Sequence, residues 1–310
     1  MIFILGAQGY VGGRFTTFLN GRGIKAIPLS RAEVDYGNTT ALRKLLRQNR
    51  PKFLINAAGF TGKPNVDACE SAKADTLAGN TVLPLRIAEA CTAENVPWGH
   101  ISSGCIYQGA RGTDAAGLPL GFREEDEPNF SFSSGRCSFY SGTKALAEQL
   151  LKGAPNTYIW RLRVPFDHRD SPRNYLSKLL NYQRLLDVRN SLSHLDDFVA
   201  SCWATMERGL PFGTYNVTNP GSVTTREVVD LIRQEGEARR KQGDTASAER
   251  MLKDFNFFES EEEFMRLTAI APRSSCVLDT TKAEHYGLPL RPVREALVDS
   301  LRNWSWEKAS

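Results

Sequence analysis

The opening thirteen residues constrain this chain more than any other stretch. Ile2–Leu5 is an apolar run of the length of a buried strand, and it passes straight into Gly6-Ala7-Gln8-Gly9-Tyr10-Val11-Gly12. Val11, Phe15, Phe18 and Leu19 then recur at helical spacing. Strand, tight glycine turn and helix, in that order, let the backbone approach a pyrophosphate and aim a helix N-terminus at its charge. An ordinary glycine-rich turn could carry the same glycines; the flanking strand and helix favour dinucleotide binding.

The pattern continues as an alternation. Apolar runs predict strands over 24–29, 53–55, 98–101 and 159–164, with helices over 39–48 and 83–93 and another opening at Tyr140. A further helix carries Cys69, Glu70 and Ala72 and leads to Asn80. This βα order predicts an α/β fold: a Rossmann-type doubly wound parallel sheet over 1–165, then a smaller C-terminal substrate-binding lobe over 166–310, with some segments returning to the sheet. Within that lobe, 187–190 and 216–218 are expected as short edge strands. The charged stretch 233–263 is expected as exposed helices with a mobile tip, a basic interaction surface being disfavoured by its interleaved acids. Glu124-Glu125-Asp126 is expected in a solvated loop over 108–135.

Gly6, Ser30, Asn56 and Ser103 all stand at carboxyl ends of expected strands, where ligands bind in such sheets. Asn56-Ala57-Ala58-Gly59 is small enough to admit a flat ligand. Ser30-Arg31, with no acid before Glu33, suits a 2′-phosphate, so NADP(H) is favoured over NAD(H); the alternative for Arg31 is a solvated surface charge. Tyr140-x-x-x-Lys144 places both side chains one helical turn apart on one face. A nearby ammonium lowers a phenol pKa, so Tyr140 is expected to exchange protons near neutral pH.

Several function classes are disfavoured. A net charge of +4 on 310 residues, with no concentrated basic patch, argues against nucleic-acid binding. The apolar runs are too short to span a bilayer. The first strand begins at Met1, which leaves no room for a leader, and six scattered cysteines without a C-x-x-C pair point to a reducing cytoplasm and away from a zinc site.

The glycine turn, Ser103 and Tyr140-x-x-x-Lys144 together resemble the extended short-chain dehydrogenase/reductases. Within them, the chain resembles the dTDP-4-dehydrorhamnose reductases and, more closely, the bifunctional nucleotide-4-keto-6-deoxyglucose 3,5-epimerase/4-reductases of the UDP-L-rhamnose synthase type. The stretches that carry the likeness include Val66-Asp67-Ala68-Cys69-Glu70, Gly104-Cys105-Ile106-Tyr107, Pro172-Arg173-Asn174-Tyr175 and Ala271-Pro272-Arg273-Ser274. Ser191-Leu192-Ser193-His194-Leu195-Asp196 departs from the family's usual run.

The resemblance implies a nucleotide-sugar substrate and leaves a homodimer open. It implies catalysis by Ser103, Tyr140 and Lys144, with Cys105 and Lys178 as the acid–base pair of epimerisation. It implies cofactor contacts from Gly6, Gln8, Gly9, Tyr10, Val11, Gly12, Ser30, Arg31, Asn56, Ala57, Ala58, Asn80, Tyr140, Lys144 and Arg163, and substrate contacts from Ser103, Gly104, Asn174, Asn190 and Arg273, the last at the diphosphate. No metal is expected. The bland readings are a buried structural thiol for Cys105 and a solvated helical amine for Lys178. A reductase without epimerase activity and a non-catalytic NADP-binding regulatory subunit are the alternatives for the whole chain.

Overall fold

A computed structural model describes residues 1–63 and 65–308. Its centre is a six-stranded sheet made of β1 (Ile2–Leu5), β2 (Ala26–Leu29), β3 (Phe53–Asn56), β4 (Trp98–Ser103), β5 (Thr157–Leu162) and β6 (Gly213–Asn216), in the spatial order β6-β5-β4-β3-β1-β2. Every pairing is parallel. Parallel strands must be covered on both faces, which is why β1 and the first three residues of β3 read as apolar runs and both strands are buried throughout. The order reverses at β1, between β2 and β3, and the crevice beyond their carboxyl ends is where such sheets take ligands.

The covering helices are α1 (Tyr10–Gly21), α2 (Thr39–Asn49), α3 (Leu83–Ala93), α4 (Phe139–Leu151) and α5 (Leu195–Glu207). Phe15 and Leu19 of α1 join Trp160, Phe198 and Val199 in one layer of core. Leu42 and Leu46 of α2 join Ile87, Trp98 and Leu151 in the other. A third cluster, including Phe166, Leu176, Val228, Met251, Leu297 and Trp304, is built from residues beyond β5. The helix Thr225–Lys241 in it starts at a capping box, in which Glu227 N–H donates to the Thr224 hydroxyl at 3.1 Å and the Thr224 N–H to the Glu227 carboxylate.

Several expectations need correcting. The strand expected over 159–164 ends at Leu162, because Val164 turns the chain with φ +38° and leaves Arg163 past the strand. The segment expected at 216–218 is the edge strand β6 of the main sheet, paired from Gly213 with Tyr158 to Asn216 with Arg161. Residues 233–263 are not simply exposed: Ala248 and Met251 are buried, and Leu252 packs near Gly236, so apolar residues at helical spacing anchor the charged stretch. Glu124 is not a solvated loop charge. It is half-buried and accepts the Asn216 N–H at 2.8 Å, and burial raises its carboxyl above the usual range.

Candidate active site

The glycine bend is shaped by contact. Gly6 has φ +73°, and a Cβ there would fall 2.6 Å from Ala58 N; a Cβ on Gly12 would fall 2.2 Å from Gly6 O. Any side chain at either position would push the bend off the end of β3. Gly9 caps α1 without a side-chain hydrogen bond, so the first N–H groups of the helix remain available to an anion. Beside the bend lies a cavity of about 600 Å³ lined by Gly6, Gly9, Arg31, Tyr36, Ala57, Ala58 and Arg86, among others. The residues present fit a dinucleotide.

The other expected cofactor residues divide by placement. Gln8 is exposed at the bend. Val11 packs against the α1 layer of the core. Burial and the Asp167 carboxylate push the Tyr10 phenol up, on the Asp167 side of α1. The Ser30 hydroxyl donates to Glu33 at 2.7 Å, and the Ser30 N–H donates to the same carboxylate at 3.0 Å. Asn56 is buried, donating to His100 Nδ1 at 3.0 Å and accepting the Ala58 N–H at 3.1 Å, so it sets the 56–58 turn from behind. Asn80 accepts the Phe60 N–H and donates to Phe60 O, both at 2.8 Å, and reaches Thr143 Oγ1 of α4 at 3.3 Å.

Four of the five catalytic candidates, Ser103, Cys105, Tyr140 and Lys144, lie around the carboxyl end of β4, and Lys178 stands apart from them on the helix Tyr175–Asn181. Ser103 ends that strand and accepts the Cys105 N–H at 3.2 Å. Tyr140, in the first turn of α4, packs on the cluster of Cys105, Ile106 and Ala145, with Ser103 near enough to its phenol to favour ionisation. Burial pushes that phenol well above its usual value, helped by the Cys105 and Cys69 thiols and opposed by Ser103 and Arg163. This reverses the direction expected from the motif: desolvation outweighs the lowering by Ser103 and Arg163 and keeps the proton on the oxygen. Lys144 is itself buried, and its ammonium donates to Ile101 O at 3.3 Å. Burial pushes its pKa down, while Cys105 and Glu148 pull the other way. Cys105 is 6% exposed; burial raises its thiol, opposed by the nearby hydroxyls of Ser103 and Ser141 and the charges of Arg163 and Lys144. Behind this end of β4, Ser102 donates to Glu148, which pairs with Arg161 of β5 at 2.8 Å, tying α4 to both strands.

The expected substrate residues are more scattered. Gly104 lets the chain pass close to Leu278, where a Cβ would come within 2.7 Å of Cδ1. Arg163 donates to Asn190 Oδ1 at 3.2 and 2.5 Å and to Ser274 O at 2.6 Å, so this buried pair brackets the 274–276 segment. Asn174 is fully buried as the N-cap of Tyr175–Asn181, with its amide donating to Asp167 and Arg169. Those contacts occupy the side chain and turn it away from any ligand. Arg273 forms a bidentate pair with Asp67 at 2.7 and 2.6 Å, a partner the motif reading did not give it. Lys178 is half-buried; desolvation lowers its pKa, and Arg173 and Arg273 lower it further. Arg86 and Tyr36 were not foreseen either; both lie outside any motif, and only the cavity brings them to the bend.

Among the described residues, no helix is long and apolar enough to cross a membrane, no group of His, Cys, Asp or Glu has a metal-holding arrangement, and all six cysteines are free.

Comparison with known families settles the affiliation. Residues 1–305 match the model of the RmlD substrate binding domain. The chain belongs to that family. It is 32% identical over 296 residues, 95% of this chain and 90% of the relative, to the bifunctional dTDP-4-dehydrorhamnose 3,5-epimerase/dTDP-4-dehydrorhamnose reductase of Arabidopsis thaliana. Its fold is similar to the crystal structure of the L780 UDP-rhamnose synthase from Acanthamoeba polyphaga mimivirus, with a TM-score of 0.84 at 23% identity over 97% of this chain and 98% of the other. It is also similar to a dTDP-4-dehydrorhamnose reductase from Bacillus anthracis solved in complex with NADP, with a TM-score of 0.73 at 20% identity over 98% and 97%.

Proposed function

We propose that the chain is a nucleotide-sugar 3,5-epimerase and 4-keto reductase, which converts a UDP- or dTDP-linked 4-keto-6-deoxyglucose into the L-rhamnose nucleotide with NADPH. The observation that carries this reading is the convergence of Ser103, Tyr140 and Cys105 at the end of β4, with Lys144 one turn further along α4. The identity to the plant bifunctional enzyme supports it, as does the NADP held by the bacillar reductase of the same fold.

Bound NADPH supplies the hydride that reduces sugar C4. Ser103 Oγ and the Tyr140 phenol hold the C4 ketone oxygen, and Tyr140 protonates it as charge develops there. The raised phenol pKa keeps that proton in place at neutral pH, the form that reduction requires. Lys144, anchored on Ile101 O, holds the ribose beside Gly59 and Asn80. Epimerisation precedes reduction. The C3 and C5 hydrogens are acidified by the same ketone, and Ser103 and Tyr140 stabilise the enolate oxygen. The depressed amine of Lys178 takes the proton and the protonated Cys105 thiol returns one to the opposite face; exchange with water then removes the proton from Lys178 and restores that of Cys105 before the second carbon reacts. At each carbon one C–H bond breaks and one forms, with no change of oxidation state.

The test is incubation of the purified chain with NADPH and each of the UDP- and dTDP-4-keto-6-deoxyglucoses, with products identified by mass spectrometry and NMR. NADPH oxidation and an L-rhamnosyl product are expected without added enzyme. Oxidation only after a separate epimerase is supplied would reduce the chain to a reductase. No turnover of either substrate would overturn the reading.

A further inference from the structure

The cavity beside the glycine bend carries a feature that the sequence motifs do not contain. Two guanidiniums enter it from different elements: Arg31 from the turn after β2 and Arg86 from the exposed side of α3. They flank one short stretch. Arg31 lies 5.7 Å from the centroid of the Tyr36 ring, and Arg86 Nη1 donates to Gly37 O at 2.6 Å. That bond uses one donor of Arg86 and fixes its direction, leaving the other N–H groups of the fork for a ligand. Neither guanidinium has a carboxylate partner among the described residues, in contrast to Arg43 and Arg47, which share Glu94.

Of the acids nearby, Glu33 and Asp35 are engaged by backbone and hydroxyl donors, and Asp75 lines the cavity as well. Glu33 takes both the N–H and the hydroxyl of Ser30, and Asp35 Oδ1 accepts the Gly37 N–H at 3.1 Å. Two unpaired forks at the adenosine end of a dinucleotide cavity match a phosphate monoester, which accepts bidentate bonds and carries nearly two charges.

We infer that Arg86, acting with Arg31 across Tyr36 and Gly37, forms a two-sided clamp for the 2′-phosphate of NADP(H) and shares with Arg31 the selection of that coenzyme. The inference rests on the proposed reading only in taking the cavity as a coenzyme site; it needs no sugar substrate.

Fluorescence or calorimetric titration of the full chain with NADPH, NADH, 2′,5′-ADP and 5′-AMP tests it. The unaltered chain binds NADPH more than about tenfold tighter than NADH, and 2′,5′-ADP tighter than 5′-AMP in the same proportion. Arg86→Ala loses about tenfold on NADPH and on 2′,5′-ADP while NADH and 5′-AMP stay within about twofold. Arg86→Lys keeps the charge without the fork and falls between. Arg31→Ala behaves like Arg86→Ala, and the double variant binds the two coenzymes equally. Arg86→Gln serves where the alanine variant fails to fold. Equal binding of NADPH and NADH by the unaltered chain, equal weakening of both by Arg86→Ala or Arg86→Gln, or no weakening of either, would overturn the clamp. Selective NADPH binding in a chain that turns over no keto sugar would leave the clamp standing and remove the proposed reaction.

Discussion

The reducing half of the proposed site and its epimerising half are assembled differently. Ser103, Tyr140 and Lys144 belong to one strand end and one helix, braced from behind by Ser102, Glu148 and Arg161. Lys178 belongs to the seven-residue helix Tyr175–Asn181, and its electrostatic neighbours are Arg173 and Arg273. Arg273 is in turn held by Asp67, 206 residues earlier in the chain. The first is therefore set by local spacing on a rigid sheet, whereas the second joins Cys105, at that same strand end, to a lysine placed by contacts between distant segments. Changes at Ser103, Tyr140 or Lys144 should abolish both reactions, and changes at Cys105 or Lys178 should separate them.

The largest expected effect is on the shared half. Tyr140→Phe removes the proton donor and should lower the reduction rate by about 10³-fold in stopped-flow or steady-state assays, with NADPH binding retained. Activity within about tenfold of the unaltered chain would break the comparison. Cys105→Ala should lower formation of the epimerised product by about 10²-fold, while reduction of the already epimerised 4-keto sugar stays within a few-fold. Equal loss of both would show that Cys105 supports the fold of the site and has no separate role in epimerisation.

A third change addresses the junction between the sheet and the C-terminal segments. Asp197, in the first turn of α5, accepts from Arg291 at 2.9 Å and from Asn219 at 2.8 Å and lies 3.2 Å from His194 Nδ1. Burial raises its pKa, but the hydrogen bonds from His194 and Arg291 outweigh this and hold it at about 2. Asp197→Ala should destabilise the chain by about 2 kcal/mol in denaturant titration, because it takes the acceptor from the buried Asn219 amide and leaves Arg291 with Asp299 as its carboxylate partner. The same carboxylate gives the direction of the pH effect. Its contribution, about 2 kcal/mol, is fully present above the unfolded carboxyl value and is lost as pH falls from about 4 toward 2. Unchanged stability in Asp197→Ala would remove it as the anchor.

The smallest effect sharpens the second half. With Lys178 depressed and Cys105 raised, the epimerisation rate should rise with pH as the amine loses its proton and fall again as the thiol loses its own. Reduction should show no loss from Tyr140 across the same range, because its phenol stays protonated. Identical pH profiles for the two reactions would contradict the separation.

The same contrast explains what the sequence disclosed. Spacing alone places Gly6, Gly9 and Gly12 at the bend and Tyr140 with Lys144 on one helix face, because turn and helix geometry are local. It does not disclose the Arg273–Asp67 pair or the approach of Arg86 to Gly37, since each depends on segments that meet only after the sheet forms. The motif reading gave Asn174 to the substrate because its stretch matched, but the residue caps a helix with its amide turned inward. The sign of the Tyr140 shift was out of reach too, because it follows from how deeply the phenol is packed and not from its neighbour in the motif.

The most direct test of both chemistries in one site is NMR of the product formed from a protiated 4-keto-6-deoxyglucose nucleotide with NADPH in D2O. The account predicts an L-rhamnosyl nucleotide carrying deuterium at C3 and C5, taken from solvent, and protium at C4, delivered from the coenzyme. A reduced product that retains protium at C3 and C5 would contradict it.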